Sequence, residues 1–393
     1  MSRGILTINA GSSSIKFALF PLDHPISPVA EVSGQIDGIG AEETRMVAKN
    51  RAGERIADQI LSGERVSHAQ AFDALLKWFT ATYTGWEIAA VGHRVVHGGD
   101  RYSQPTVIDA QVLAHLTGFT PLAPLHQPHN VAGIVALQAL LPNVPQVACF
   151  DTAFHRSQPE VAQMFGLPRA ITAEGVKRYG FHGLSYEFIA RALPQHSSRA
   201  DGRVVVAHLG NGASMAAMVN RKCVATTLGF STIDGLVMGT RCGNLDPGVI
   251  LHLMETKNLS VKDMTKMLYK ESGLLGVSGI SQDMRTLLSS DKPEAQEAVD
   301  LFCYRIAREL GSLAAAAGGL DAVVFTGGIG EHAAEVRRRV CIQSEWLGIR
   351  LNPEANARHD LHISAGNSSV DVLVIPTNEE WMMAHHAQTL LSL

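Results

Sequence analysis

The feature that most constrains this chain is a recurring unit: a short, apolar, β-branched run that stops at a glycine-rich or polar turn. Ile5–Ile8 stops at Asn9-Ala10-Gly11, Val144–Phe150 at Asp151-Thr152, and Val204–Ala207 at His208-Leu209-Gly210-Asn211-Gly212. Ala322–Phe325 stops at Thr326-Gly327-Gly328-Ile329-Gly330, and Val370–Ile375 at Pro376-Thr377-Asn378-Glu379. Ile88–Val91 and Val95-Val96 flank Gly92-His93-Arg94 and stop at Gly98-Gly99. Such runs read as strands covered on both faces, and open α/β sheets place ligands at strand ends. Helical patterns lie between them. Ser67–Trp78 opens on a serine in capping position, and Ala298–Leu320 is rich in alanine and leucine and closes at Gly318-Gly319.

Strand, polar turn, strand occurs twice, over Leu6–Phe20 and Val204–Val219. A repeat half a chain apart, in 393 residues, predicts two related α/β halves, with a boundary near Asp151–Phe154. The segment from Glu379 is expected to return to the first half. A formal charge of −4 without a long basic stretch excludes tracking of a nucleic-acid backbone. Arg337-Arg338-Arg339 reads as a solvated helix face. No apolar run reaches the roughly 18 residues of a membrane span, and Met1-Ser2-Arg3-Gly4 leads straight into a strand, so no signal peptide is expected. The five scattered cysteines, Cys149, Cys223, Cys242, Cys303 and Cys341, predict free thiols in a cytoplasmic protein.

The polar ends of the runs carry chemistry. Gly11 lets a ligand approach the backbone of the first turn, Ser12, Ser13 and Ser14 supply hydroxyls, and Lys16 supplies a point charge: an anion-handling hairpin. Gly328-Ile329-Gly330-Glu331-His332-Ala333 matches G-x-G-x-x-A but lacks the second strand and acidic residue of a dinucleotide site, and better suits contact with the base and ribose of a nucleotide. His93 and His97 are four apart, yet Val95-Val96 and the glycines argue for a strand or loop rather than a zinc helix. Arg94 reads as a fork for a carboxylate or phosphate. Asp151, at the end of a very apolar run, is open to three readings: helix cap, metal-shell ligand or general base. His126, His182 and Arg241 lie in loops, the last within Gly239-Thr240-Arg241-Cys242-Gly243.

Taken in order, these blocks resemble the acetokinase family of short-chain acyl kinases over almost the whole chain. The resemblance rests on Ile8–Lys16, Gly92–Gly99, Ala123–His126, Phe150–His155, Tyr179–Gly183, His208–Ser214, Gly239–Arg241, Asn244–Gly248, Ser272–Gly276, Asp283–Arg285, Phe325–Glu331 and Pro376–Glu380. It implies the α/β fold shared by acetate and sugar kinases, actin and the heat-shock ATPases: two ribonuclease-H-like domains around an ATP cleft, in a homodimer. Residues 1–151 with 379–393 would bind acyl group and phosphate, and 152–378 would bind nucleotide and dimerise. The resemblance gives Asn9 and Glu379 to Mg²⁺ (or Mn²⁺). It gives Arg94 to the acyl carboxylate or its phosphate, Asp151 to the catalytic acidic position, and His182 and Arg241 to the transferring phosphoryl. ATP would meet Ser12, Ser14, Lys16, His208, Leu209, Gly210, Asn211, Gly212, Asp283, Met284, Arg285, Gly328, Ile329, Gly330, Glu331 and His332. Val96, Leu125, His126, Phe181 and Thr232 would line the acyl pocket.

The chain departs from the family pattern at Thr232, where a proline is usual; at Leu184-Ser185-Tyr186, where Thr-Ser-His is usual; and at Asn244, where an aspartate is usual. Thr232 puts a hydroxyl in the pocket wall, which bears on acetate against propionate or butyrate. A sugar or polyol kinase of the same superfold would need Asp151 as a true base and a polar pocket. A non-catalytic ATP binder would lack Arg94, His182 or Arg241, and all three are present.

Overall fold

The computed structural model describes residues 2–61 and 65–393; Met1, the first residue of the expected leaderless start, and residues 62–64 lie outside the described residues. The chain forms two compact units, Met1–Ala153 with Asn378–Leu393, and Phe154–Thr377.

The first unit holds β1 (Ser2–Ala10), β2 (Ser14–Pro21), β3 (Val32–Asp37), β4 (Thr44–Asn50), β5 (Arg55–Leu61), β6 (Trp86–Val95), β7 (Thr106–Val107) and β8 (Gln146–Phe150). They form one sheet in the order β5-β4-β3-β2-β1-β6-β8-β7. β1 pairs antiparallel with β2 and parallel with β6, and β6 pairs parallel with β8. The second unit holds β9 (Arg203–Leu209), β10 (Ala213–Val219), β11 (Lys222–Thr226), β12 (Ala322–Thr326) and β13 (Asp371–Val374), in the order β11-β10-β9-β12-β13. β3-β2-β1-β6-β8 and β11-β10-β9-β12-β13 follow one plan: three antiparallel strands, then two parallel ones. The two hairpins read from sequence are β1–β2 and β9–β10.

Helices pack on the central strands of each sheet, as buried parallel strands require. Phe72 and Leu75 of the helix His68–Thr82, and Leu137 of Gln127–Leu140, pack on Leu6, Ile8, Ile15 and Phe17. The first of these helices opens with the expected Ser67 cap, which forms a reciprocal capping box with Gln70. The C-terminal helix Glu379–Leu391 lies against β1, β6 and β8 in the same unit. In the second unit, Tyr186 and Ile189 of the helix Gly183–Ala192 pack on Val204, Val206 and Val324, and the long helix Pro293–Ala317 packs on β9 and β10.

Of the strand or loop expected around His93 and Arg94, the strand forms: Gly92-His93-Arg94 lies within the ten-residue strand β6. A Cβ at Gly92 would lie 3.0 Å from the Met383 carbonyl, so this glycine serves close approach of the C-terminal helix rather than a turn. Arg337 is not on a solvated face: it is fully buried, whereas Arg338 is exposed. β3, β4 and β5 left little trace in the sequence, because their faces are partly exposed and their apolar alternation is weak.

Candidate active site

In the first unit, three adjacent parallel strands end side by side. Register pairs Ile8 with His93 and Arg94 with Cys149, so Asn9, Arg94 and Asp151 emerge at neighbouring C-terminal strand ends. Arg94 Nε donates to Asp151 Oδ1 at 2.9 Å and Nη2 donates to Oδ2 at 2.6 Å, a bidentate fork. Its third nitrogen, Nη1, donates to Asn9 Oδ1 at 3.3 Å. The Asp151 side chain is 1% exposed and that of Arg94 20%, so the carboxylate is the deeper member of the pair. Burial pulls the Arg94 guanidinium down, but the charge and hydrogen bonds of Asp151, together with Glu379 and Glu380, outweigh it and hold the group above the ordinary arginine range.

Glu379 opens the C-terminal helix and lies 4.0 Å from Arg94 Nε. Burial pushes its carboxyl up to about 7; Asp151 and Glu380 add to the rise, and Arg94 opposes it. The helix is fixed by an Asn378 cap on the Trp381 N–H and by Trp381 Nε1 and Gln388 Nε2 donating to the carbonyls of Ile26 and Asp23. The first turn is pinned from behind: His68 Nε2 is 2.7 Å from the Gly11 carbonyl, and Asn130 Nδ2 donates to the Ala10 carbonyl at 2.8 Å. Ser12 is exposed and Ser14 half-buried. Lys16 is exposed, sits opposite Asn9 in the β1–β2 pairing, and lines an open basin of about 810 Å³ with Gln35, Lys49, Arg51, Arg55 and Glu380.

The second unit carries a different cluster. His182 precedes the helix Gly183–Ala192 with φ +60°, a left-handed conformation that costs a non-glycine residue about 1–3 kcal/mol and persists where neighbours fix it. Its ring stacks on His208, centroids 4.5 Å apart, and Nδ1 lies 2.8 Å from Ser214 Oγ. His208, at the end of β9, has Nδ1 2.8 Å from Ser185 Oγ. Arg241 Nη1 donates to the Thr232 carbonyl at 2.8 Å. The two candidate phosphoryl-binding residues converge: a Cβ placed on Gly212 would lie 3.5 Å from both His182 Nε2 and Arg241 Nη2. Gly212 closes the β9–β10 tip, where its carbonyl accepts from Gly210 N–H at 3.1 Å.

The glycine loop is the short helix Gly327–His332, which begins where β12 ends beside His208. Glu331 Oε1 accepts from the N–H groups of Gly327 and Thr377, closing the turn on itself. Arg337 holds the loop from below, donating to the carbonyls of Gly330 and Glu331 and to Asn356 and His359. Gly328 and His332 remain exposed. Asp283 caps the helix Met284–Leu288; the Arg285 fork holds its carboxyl down to about 2. Met284 is buried, and the Arg285 side chain is 91% exposed.

The acetokinase family model matches residues 4–385. The chain belongs to the acetokinase family. It is 54% identical to an acetate kinase of Rhodopseudomonas palustris over 99% of both chains. Among solved structures it resembles a propionate kinase from Francisella tularensis (36% identity, TM-score 0.91, 98% and 99% of the two chains). It also resembles an acetate kinase from Porphyromonas gingivalis (37% identity, TM-score 0.89, 99% and 100%). The fold is therefore the two-unit α/β architecture that the acetokinase resemblance implied.

Of the acyl-pocket candidates, Val96 is buried and Leu125 and His126 half-buried in the first unit; in the second, Phe181 is buried and Thr232 half-buried. Sequence reasoning missed Ser214 and Ser185 as partners of the histidines, Asn130 and His68 as supports of the first turn, and Arg337. Only Arg337 left a signal: Val336, Arg337, Val340 and Cys341 fall on one buried helical stripe, which places the arginine inside.

Proposed function

We propose that the chain is an acetate kinase, moving the γ-phosphoryl of ATP to acetate to give ADP and acetyl phosphate, and the reverse. The observation that carries the reading is a match between chemistry and donors. Acetate is ionised at neutral pH, since carboxyl pKa values are about 4, so its oxygen needs no general base. The barrier is the meeting of an anion with a polyanion, and catalysis is neutralisation and in-line alignment. A carboxylate oxygen forms the new bond to phosphorus as the bond to the ADP oxygen breaks, and no proton moves. The point shared by His182 Nε2 and Arg241 suits an oxygen of the transferring phosphoryl. Arg94 suits the acyl carboxylate, and the Asp151 fork aims it. ATP is assigned to the two hairpin tips, with Lys16 toward phosphate, to His208–Gly212 and Asp283–Arg285, and to the glycine loop Gly328–His332.

Asn9 and Glu379 would hold Mg²⁺, with Mn²⁺ as an alternative. An amide oxygen and a carboxylate suit an ion that keeps most of its water and binds mainly through substrate phosphates. Burial, with smaller additions from Asp151 and Glu380, raises the Glu379 carboxyl to about 7, and a nearby cation would favour its charged form. When bound, the ion neutralises charge on the phosphates. The reading includes a homodimer through the second unit, where Leu251, Val261 and Trp346 are exposed. It includes a cytoplasmic setting, in keeping with five free cysteines.

The test is ATP-dependent acyl phosphate formation, trapped with hydroxylamine, for acetate, propionate, butyrate and glycerate side by side. Product highest with acetate supports the proposal. A maximum at propionate favours the second reading, motivated by Thr232 and by the propionate kinase of similar structure; one methylene is worth only about 1–3 kcal/mol, so preference is partial either way. No product with any acid, despite ATP binding, overturns both.

A further inference from the structure

Behind His182 runs a chain of two buried hydroxyls. His182 Nδ1 lies 2.8 Å from Ser214 Oγ, and Ser214 Oγ lies 2.5 Å from the Tyr186 hydroxyl. Ser214 and Tyr186 are both fully buried, and the tyrosine ring packs among Phe154, His155 and His208. The far ring nitrogen, Nε2, is the one that shares the Gly212 point with Arg241. This is also where the chain departs from its family, carrying tyrosine where the resemblance gives histidine.

If both neighbours donated to Ser214 Oγ, its own buried proton would be left without an acceptor, so the chain runs in one of two directions. Either Tyr186 donates to Ser214 and Ser214 donates to Nδ1, or Nδ1–H donates to Ser214 and Ser214 donates to Tyr186. A phenol, with a pKa of about 10, is a far stronger acid than an alkyl alcohol, so the tyrosine is the donor of this pair. Ser214 Oγ then gives its own proton to Nδ1. A neutral imidazole that accepts at Nδ1 carries its proton at Nε2. That is the tautomer that donates to a phosphoryl oxygen; the other would turn a lone pair toward it.

We propose that Tyr186 is a positioning residue that acts through Ser214 to hold His182 as the Nε2–H tautomer, presenting a hydrogen-bond donor beside Arg241. The inference rests on the phosphoryl-transfer reading of the site for its purpose, but not for its measurement. The same chain, with the stacking on His208, fixes the aim of the ring.

The test is ¹⁵N NMR of the full-length protein labelled at histidine, with His182 assigned by loss of its signals in His182→Gln. In the parent, neutral His182 is expected to be protonated at Nε2 and bare at Nδ1. Tyr186→Phe is expected to mix the tautomers and to lower kcat about three- to tenfold, the worth of one net hydrogen bond. The KM values for ATP and carboxylate should change less than about twofold, because binding contacts are untouched. Tyr186→His, with a ring N–H in place of the hydroxyl, should restore the parent tautomer and most of kcat. A His182 protonated at Nδ1 in the parent overturns the proposal, even if Tyr186→Phe does not fold. An unchanged spectrum in a folded Tyr186→Phe overturns it too. If the parent has the expected tautomer yet forms no acyl phosphate, the functional reading fails while the tautomer assignment stands.

Discussion

Gly212→Ala separates folding from chemistry at the second-unit cluster. The added methyl would lie 3.5 Å from His182 Nε2, 3.5 Å from Arg241 Nη2 and 3.7 Å from Nη1, all ordinary van der Waals distances. Gly212 is outside the left-handed region, so alanine brings no backbone strain, and the smaller entropy of the unfolded chain adds about 0.4–1 kcal/mol of stability. A phosphoryl oxygen bridging the two donors needs to come within about 2.7–2.9 Å of each nitrogen. The methyl occupies that space. Loss of one such donor costs about 2.7–4 kcal/mol, or 10²–10³ in rate, and here both are obstructed. The expected result is a fall of about 10³ or more in acyl phosphate formation, with the urea midpoint equal to or slightly above the parent's. Gly273→Ala is the contrast: φ is +65° and the Cβ would lie 2.2 Å from the Met238 carbonyl, so stability itself should collapse. Gly212→Ala turning over within about tenfold of the parent would show that no phosphoryl oxygen uses that point, and would refute the assignment of His182 and Arg241 together.

Three further outcomes follow from other parts of the molecule. Asp151→Asn keeps the shape but removes the charge that aims Arg94, so kcat/KM should fall by about 10²–10³, the worth of one misplaced donor; near-normal turnover in hydroxylamine trapping would remove Asp151 from the mechanism. Burial lowers both His93 and His97 to about 4, and the unfolded chain takes up those protons near 6.5. Folding stability is therefore full above that value and declines as pH falls from 6.5 toward 4, by up to about 3 kcal/mol for each histidine; urea unfolding of His93→Asn should show a flatter profile than the parent, and equal slopes would refute it. Arg337→Met strips the glycine loop of its two carbonyl clamps, so the KM for ATP should rise severalfold and stability should drop by about 3 kcal/mol or more; an unchanged KM in a folded variant would free the loop from this arginine.

The strands and their ends were legible for a physical reason. β8 and β12 are buried at every residue, so they read as unbroken apolar runs, and the first polar residue after each marks its end. Asp151 and the glycine loop were found that way. The partnerships were not legible, because they join residues far apart in the chain: Arg94 and Asp151 are separated by 57 positions, Arg94 and Asn9 by 85, and His182 and Ser214 by 32. Nothing local encodes which nitrogen faces which oxygen. Arg337 was misread because a run of three arginines looks like one solvated feature, although helical geometry turns consecutive residues about 100° apart.

The missing partnerships are also the ones that separate the candidate chemistries. The sequence left Asp151 open as cap, metal-shell ligand or base. A kinase acting on a sugar hydroxyl needs a carboxylate open to its substrate, because the hydroxyl proton must be taken away. A kinase acting on a carboxylate has no such proton to remove and gains more from a rigid cation. Asp151 is 1% exposed, with both oxygens on the guanidinium, while the Arg94 side chain is 20% exposed. Using the acid to aim the arginine is the arrangement an already ionised acceptor calls for. The electrostatics agree in sign: Asp151 helps hold Arg94 charged, while burial, with a smaller addition from the same carboxylate, raises Glu379 to about 7, so the first unit's cluster has one fixed cation and one carboxylate that is easily neutralised. A hydroxyl acceptor would gain little from the first feature, whereas an acyl carboxylate meeting a nucleotide phosphate needs it most.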